Sequence, residues 1–489
     1  MKPVIMPPDA ATLMWSTRAI GYTTPAAVAD LIDNSISAGA SEISIQYVSG
    51  ENGYIAILDN GAGMSAEDLR LAMKYGAGDP WQQRSESDLG RFGLGLKTAS
   101  LSQCLRLIVI SKRDGVISAY CWDLDHVRSS RNWELLEMEE NDLEGLPQVD
   151  KLSCIPEGTI VLWSKLDKIF AGDENKEQGL LLKMKEVEGH LALTFHRYLQ
   201  GEIGIKKLKI TINGVPVEPV DPFFTSRSDE MASEKIIVPY TNLYGKTASD
   251  KVVVTPYILP FSDALSQEEL TALGGKEGLI KNQGFYIYRN KRLIVAADWF
   301  HIARKTDLTK LCRVKVDMPN TLDDIWTIDV KKSMAIPPEV VLKNLRRIVV
   351  PIIKAGKRKY RFRATKERTT GRLQLWVPQE TRNGLVYNIN PEYPILKDIM
   401  KELQHKRKMQ TFLRLLEQNI PVNAIHTDFY DDRKFAFEDV DIAYHNVLEN
   451  LRELLRDIEP AQREEEFNDL MLIMPFAEYD IKFEDLGEL

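Results

Sequence analysis

Cysteine is scarce in this chain, and the four present (Cys104, Cys121, Cys154 and Cys312) stand far apart with no CxxC pair. That spacing excludes a disulfide framework and a thiolate zinc site, and it fits a reducing, cytoplasmic compartment. The histidines form no HxxxH pair, so a protein-bound transition metal is not expected. No apolar run approaches the roughly 18 residues of a membrane-spanning helix. The opening MKPVIMPPDA lacks the basic-then-apolar layout of a secretion signal. Internal repeats, long low-complexity tracts and recognisable nuclease motifs are also missing. What remains is an ordinary globular composition: 489 residues, 44% of them hydrophobic, enough for two or three domains with their own cores.

Charge is unevenly spread. The net charge is -8, yet Lys343 to Arg372 holds twelve Lys or Arg and one acid, Glu367, while the last sixty residues are acidic. Two readings stay open: a phosphate-contacting stripe, with Tyr360 and Phe362 interleaved, or two oppositely charged faces that meet each other.

The first chemically informative segment is Thr24 to Gly39. Thr24 suits an N-cap, Pro25 the first helical position and Gly39 a stop, and Val28, Leu31, Ile32 and Ser35 recur on a core-facing side. Asp30 and Asn34 then project together from the other flank. Alternation predicts strands over Glu42–Tyr47 and Tyr54–Leu58. The second strand runs into the tight turn Asp59-Asn60-Gly61-Ala62-Gly63-Met64. A helix over Ser65–Tyr75 leads to a polar loop from Gly76 to Leu89. Next comes Gly90-Arg91-Phe92-Gly93-Leu94-Gly95-Leu96-Lys97-Thr98, a glycine-rich turn opening a helix. It is not a P-loop, because one residue too many separates Gly95 from Lys97. Strands follow to Gly158–Trp163. A long helix, about Gly179–Tyr198, opens a second domain containing a hairpin at Asn213-Gly214 and strands over Gly284–Ile294 and Thr327–Lys332. Beyond the basic stretch, a β element over Leu373–Ile389 precedes helices over Ile395–Gln418 and Glu438–Ile458. The expected divisions are residues 1–175, 176–350 and 351–489, with an α+β fold.

Each element has a chemical use. The Asn34 amide oxygen can ligate Mg²⁺, which takes oxygen donors and bridges substrate phosphates. A carboxylate one turn earlier, at Asp30, can orient or deprotonate an attacking water. Asp59 at a strand end can accept the exocyclic amine of adenine, with Gly61 and Gly63 leaving room for the base. Gly90, Gly93 and Gly95 let backbone N–H groups approach phosphates, and Lys97 stands near. Singly these signals are weak, since Asp-Asn-Gly is an ordinary turn and most glycine-rich loops bind nothing. Their order and spacing, with Gly158-Thr159 behind them, carry the argument.

That combination resembles the GHKL (Bergerat-fold) ATPases, most closely the bacterial relatives of MutL and the MORC proteins. The motif segments are DLIDNSISAGA, DNGAGM, GRFGLGLKTAS and GTIVLW; ITINGVPVEPVDPF and GFYIYRNKRLI look like strands of the transducer domain that follows the ATPase. The resemblance covers roughly residues 10 to 350. It implies a Bergerat-fold sandwich and a transducer; the smaller, mostly helical C-terminal segment is read from its own residues, where the resemblance is weak. It further implies that Asn34 holds Mg²⁺, that Asp59, Gly63 and Met64 meet adenine with support from Thr159, and that Gly90 to Lys97, Arg91, Phe92, Leu94 and Leu96 included, wrap the ATP phosphates. The loop from Gly76 to Leu89 would be a lid, and Lys332, or Lys331 beside it, the transducer lysine on the γ-phosphate. The family usually has Glu where this chain has Asp30. A carboxylate about 1 Å short can cost on the order of 10²-fold in rate, so slow hydrolysis is expected. The resemblance implies an ATP-gated homodimeric clamp in a DNA-related process of the restriction, phage-defence or repair type. Double-stranded DNA would meet Lys343–Arg372, and a separate nuclease would be a partner. The alternative is a chaperone-like or scaffolding switch acting on a protein client.

Overall fold

The computed structural model describes the chain apart from residues 1–2, 4–5, 7, 51, 77–94, 171–174, 242–244, 246, 262–264, 275–277, 307–308, 324, 329–334, 370–374, 382–383, 404–405, 421–439, 457, 473–475, 477–478, 480 and 488–489. It divides into two compact units, residues 1–358 and 359–489.

Two sheets organise the first unit. The N-terminal sheet comprises β1 (Glu42–Val48), β2 (Tyr54–Asp59), β3 (Arg106–Arg113), β4 (Val116–Asp123), β5 (Leu136–Glu137), β6 (Gly158–Ser164), β7 (Lys209–Ile212) and β8 (Val215–Pro216), in the order β5-β4-β3-β6-β2-β1-β7-β8. All its pairings are antiparallel except β1 with β7. Along β1 the alternation is as expected, with Ile43 and Ile45 buried. β2 departs from the expected alternation: Ile55 and Ile57 enter the main core, while Ala56 and Leu58 enter a second cluster with Leu143 and Leu152 from the covering segment. With both faces covered, a strand has no reason to alternate.

Four helices matter for the site: α1 (Ala10–Thr17), α2 (Thr24–Ser37), α3 (Ala66–Met73) and α4 (Gly95–Leu101). The N-cap of α2 is Thr23, one residue before the expected Thr24, whose hydroxyl instead meets Gln103 at 2.8 Å. α2 lies against α4 and the helix Lys176–Thr194, and its buried residues run from Ala27 through Asp33. It is therefore a core helix, enclosed on nearly every side rather than on one stripe.

The expected boundary at 175 falls inside this layer. The helix Lys176–Thr194 packs on α2, and β7 extends the N-terminal sheet beside β1, so Leu180, Leu191, Ile210 and Val217 share its core. The β7–β8 turn is the expected Asn213-Gly214, both at positive φ. Asn213 also accepts the Tyr47 N–H at 2.9 Å, fastening the hairpin to β1.

The second sheet holds β9 (Asp229–Glu230), β10 (Glu234–Thr241), β11 (Thr247–Ile258), β12 (Gly284–Arg289), β13 (Arg292–Asp298) and β14 (Cys312–Met318), in the order β10-β11-β14-β12-β13 with β9 on β11. The stretch Gly284–Ile294, expected as one strand, is a hairpin turning at Asn290-Lys291, both at positive φ. Asparagine tolerates that conformation, so the pair closes a two-residue turn without glycine. Val341, Leu345, Ile348 and Val349, on the helix Glu339–Thr369, close this sheet's core.

In the second unit, β17 (Trp376–Thr381) pairs antiparallel with β18 (Gly384–Ile389), following the minor pair β15 (Thr327–Ile328) and β16 (Ala335–Ile336) of the first unit. The helix expected over Ile395–Gln418 is two, Pro394–Glu402 and Lys406–Gln418. A small core joins Tyr393, Leu451, Leu455 and Phe467. Among the described residues no helix is long and apolar enough to cross a membrane.

Because Ile32 is fully buried on the central helix, Ile32→Ala should cost about 2–5 kcal/mol of stability. In urea, the unfolding midpoint of the first unit should fall with little change in slope.

Candidate functional site

The three motif elements meet at one end of the N-terminal sheet. Asp59 closes β2, and its registry partners are Ile43 on β1 and Thr159 on β6. Its carboxylate is buried: Oδ2 accepts the Ser35 hydroxyl at 2.8 Å, and Oδ1 accepts the Gly61 N–H at 2.9 Å. Burial pushes its pKa up, while hydrogen bonds from Gly61, Ser35 and the Thr159 backbone pull it back. Each carboxylate oxygen has a second lone pair, so this group retains capacity to accept an amine N–H.

Ser111 on β3 ties the rest of this corner together. Its hydroxyl accepts the Met64 N–H at 2.8 Å, stands 2.9 Å from the Thr159 hydroxyl and reaches the Gly158 carbonyl at 3.2 Å. Two glycines are required by close approach. A Cβ on Gly63, already at φ +58°, would lie 2.0 Å from the Lys112 carbonyl oxygen, and one on Gly158 would lie 2.3 Å from that of Asp59. Both glycines thus let the backbone of the turn and of β6 pack directly against neighbouring strands.

Asp30 and Asn34 occupy one side of α2, but their environments differ. Asp30 is 3% exposed, and its Oδ2 accepts the Tyr22 hydroxyl at 2.8 Å. Asn34 is exposed, with its amide free to meet solvent-borne groups. The expectation that both project from an open flank therefore holds for Asn34 alone. The first turn of α4 lies beside the carboxylate, since a Cβ on Gly95 would be 3.7 Å from Asp30 Oδ2. Leu96 is half-buried.

Lys97 is a correction. Its side chain is buried, and its ammonium donates to the carbonyls of Ala72 at 2.7 Å and Lys74 at 2.9 Å, at the end of α3. Two of its three donors are thus committed to a helix terminus, a position that favours a cation. Gly90, Arg91, Phe92, Gly93 and Leu94, most of the expected lid, and both Lys331 and Lys332 lie outside the described residues.

Several residues of this corner had no motif to announce them. Ser35 reads as a core position, although a buried hydroxyl demands a partner and Asp59 is that partner. Ser111, which follows the apolar run Leu107–Ile110 of β3 and is itself buried, meets the same requirement through Thr159 and Gly158. Tyr22 and Arg292 left no signal. Arg292 comes from β13, 259 positions from its partner Asp33, and its Nε lies 3.2 Å from Asp33 Oδ1.

The residues present fit a purine nucleotide with a divalent ion. A buried carboxylate faces a glycine-lined corner, and an exposed amide oxygen stands one helical turn from a second carboxylate.

Lys97 generates a pH test. Burial pushes its pKa from 10.5 down to about 8. The unfolded chain therefore binds the proton more tightly between those values, and this residue's contribution to stability rises with pH across that window. Relative to Lys97→Met, the wild type should gain unfolding free energy from pH 8 to pH 10, as measured by guanidinium titrations at both.

Sequence relationships agree with this geometry. Residues 22–159 match the family described as histidine kinase-, DNA gyrase B-, and HSP90-like ATPase. The DNA mismatch repair protein MutL of Microcystis aeruginosa is 34% identical over 121 residues, 24% of this chain and 21% of that protein. MutL of Chlamydia felis is 49% identical over 47 residues, 10% of this chain and 8% of the relative. ATPase morc-1 of Caenorhabditis elegans is 30% identical over 94 residues, 19% of this chain and 11% of the relative. The matches span about a fifth or less of these relatives' own lengths. The matched segment lies over the three motif elements gathered at one sheet end, and over residues 22–159 this chain is similar to the GHKL ATPases, MutL and MORC proteins among them.

Proposed function

We propose that this chain binds Mg-ATP at the Asp59–Asp30 corner, hydrolyses it slowly, and uses it to gate a homodimeric clamp in a DNA-related process, of the restriction, phage-defence or repair type. The buried Asp59 carboxylate, held by Ser35 and Gly61 with acceptor capacity to spare, carries this reading. In it, Asp59 accepts the adenine amine, while Gly63 and Met64 border the base and Thr159 supports it through Ser111. Asn34 would hold Mg²⁺, which supplies charge neutralisation on the phosphates when bound. Asp30 would accept the proton of the attacking water, with Tyr22 fixing its orientation. The stretch Gly90 to Lys97 would wrap the phosphates, Lys97 chiefly by anchoring α4, and Lys332, outside the described residues, would be the sensor of the γ-phosphate. A clamp needs a closed state that binds nucleotide better than the open one, and a lysine reaching the γ-phosphate in the closed state would provide that difference.

The DNA part rests on the helix Glu339–Thr369. Two of its cations are already matched: Lys343 by Glu339 at 2.9 Å and Arg347 by Glu234 at 2.6 Å. In this reading Arg346 and Lys354, with the basic residues that follow them to Arg372, would contact phosphates. A protein-directed switch is the second reading, favoured by the exposed Phe412, Leu415 and Leu416 of the helix Lys406–Gln418.

Asp59→Asn should abolish binding of labelled ATP in equilibrium dialysis. Asp30→Asn should leave binding within about threefold and remove most of the turnover, as expected for loss of a general base. Equal turnover in Asp30→Asn and wild type would take Asp30 out of the mechanism. Double-stranded DNA should bind with an affinity that falls linearly with salt on a logarithmic plot, and it should raise the turnover rate. Turnover indifferent to DNA would favour the protein-directed reading.

A further inference from the structure

The second sheet sends one side chain into the nucleotide layer at the place where hydrolysis is proposed. Arg292 begins β13, directly after the Asn290-Lys291 turn, and the tip of that hairpin is fastened to the N-terminal layer. The Tyr198 hydroxyl donates to the Asn290 carbonyl at 2.6 Å, and the Lys291 ammonium donates to the Ile203 carbonyl at 2.8 Å and lies 3.4 Å from Glu202. From that tip the Arg292 guanidinium enters the core beneath α2. Nε lies 3.2 Å from Asp33 Oδ1, Nη2 lies 3.9 Å from Asp30 Oδ1, and the plane sits 5.9 Å from the Phe195 ring centroid. Arg292, Asp33 and Asp30 are all nearly or fully buried.

Asp30 is thus bracketed. Tyr22 holds one oxygen, and the other faces a cation delivered by the second sheet. His190 adds no second cation here, because burial and the Arg292 charge push its pKa down to about 4. Asp33 is the pivot. Its charge inside a core requires a cationic partner, and satisfying it fixes the guanidinium where its other nitrogen reaches toward Asp30.

We propose that Arg292 is a positioning residue for hydrolysis: anchored on Asp33, it sets the orientation and charge of Asp30, so that the hydrolytic carboxylate responds to where the second sheet's β12–β13 hairpin sits. This rests on the reading of Asp30 as the general base. It adds a contact to α2 itself, separate from any lysine on the phosphates.

The test compares full-length wild type with Arg292→Lys, Arg292→Gln and the apolar pair Arg292→Met/Asp33→Leu. Labelled-ATP binding, single-turnover hydrolysis at enzyme excess and thermal midpoint are measured for each. Arg292→Gln should keep ATP affinity within about threefold and lose roughly 10- to 100-fold in turnover. Arg292→Lys, which keeps the charge but not the planar fork, should recover part of that loss. The apolar pair removes the Asp33 charge together with its Arg292 partner, so its midpoint should return toward wild type while turnover stays low. If turnover recovers together with the midpoint in the apolar pair, Arg292 is merely structural and the inference is overturned. Wild-type turnover in Arg292→Gln overturns it as well, as does a loss of affinity and turnover in equal proportion. A wild type that binds no ATP removes the proposed site and the inference with it. A wild type that binds ATP but never hydrolyses it overturns the inference while leaving the nucleotide site standing.

Discussion

Charge carried into a core has to be met there, and α2 carries two carboxylates inward, Asp30 and Asp33, with Asp59 buried beside it. Each is satisfied differently. Asp59 is held by a hydroxyl and backbone N–H groups, Asp30 by a tyrosine hydroxyl with a guanidinium beyond it, and Asp33 by that same guanidinium. These demands account for otherwise unrelated features: a serine at a core position of α2, a glycine turn after β2, and an arginine at the start of β13. An isolated carboxylate in such surroundings would cost far more than any packing gain around it could offset.

The compensation is not local. Ser35 and Gly61 come from neighbouring elements, but Arg292 comes from the other sheet. The nucleotide layer and the second sheet are therefore joined by an ion pair as well as by apolar packing. Packing tolerates small sliding, whereas a charge pair in a core is stable only over a narrow range of geometry. Under the proposed function, a link of that kind would let nucleotide state and sheet position influence one another.

Much of this was legible in the sequence, and for identifiable reasons. Asp59, Gly61, Gly63 and Thr159 belong to turns and strand ends whose backbone requirements leave a local signature, and the Asn213-Gly214 hairpin is equally local. The extent of the N-terminal layer was not legible. The helix Lys176–Thr194 and β7 read as the start of a new domain because nothing in the string tells a parallel pairing of Glu42 with Lys209, 167 residues apart, from a fresh sheet. The misjudged side chains follow the same division. Lys97 sits in the glycine-rich segment expected to wrap phosphates, yet its ammonium is drawn to the carbonyls that end α3. The role of Arg292 depends entirely on a distant partner.

The parallel pairing of β7 with β1 has a consequence for how the chain is made. Until residue 212 leaves the ribosome, β1 presents an edge with no β7 to pair with, and until residue 194 does, Ile43 and Ile45 face a core that lacks the helix Lys176–Thr194. An unpaired edge is a template for another chain's strand, and domains emerge in order, amino end first. The nascent protein thus passes through an interval in which most of the nucleotide layer has been synthesised but its sheet is unfinished. Protection of that edge by a chaperone, or by prompt translation through the Lys176–Ile212 stretch, becomes part of what the cell must supply.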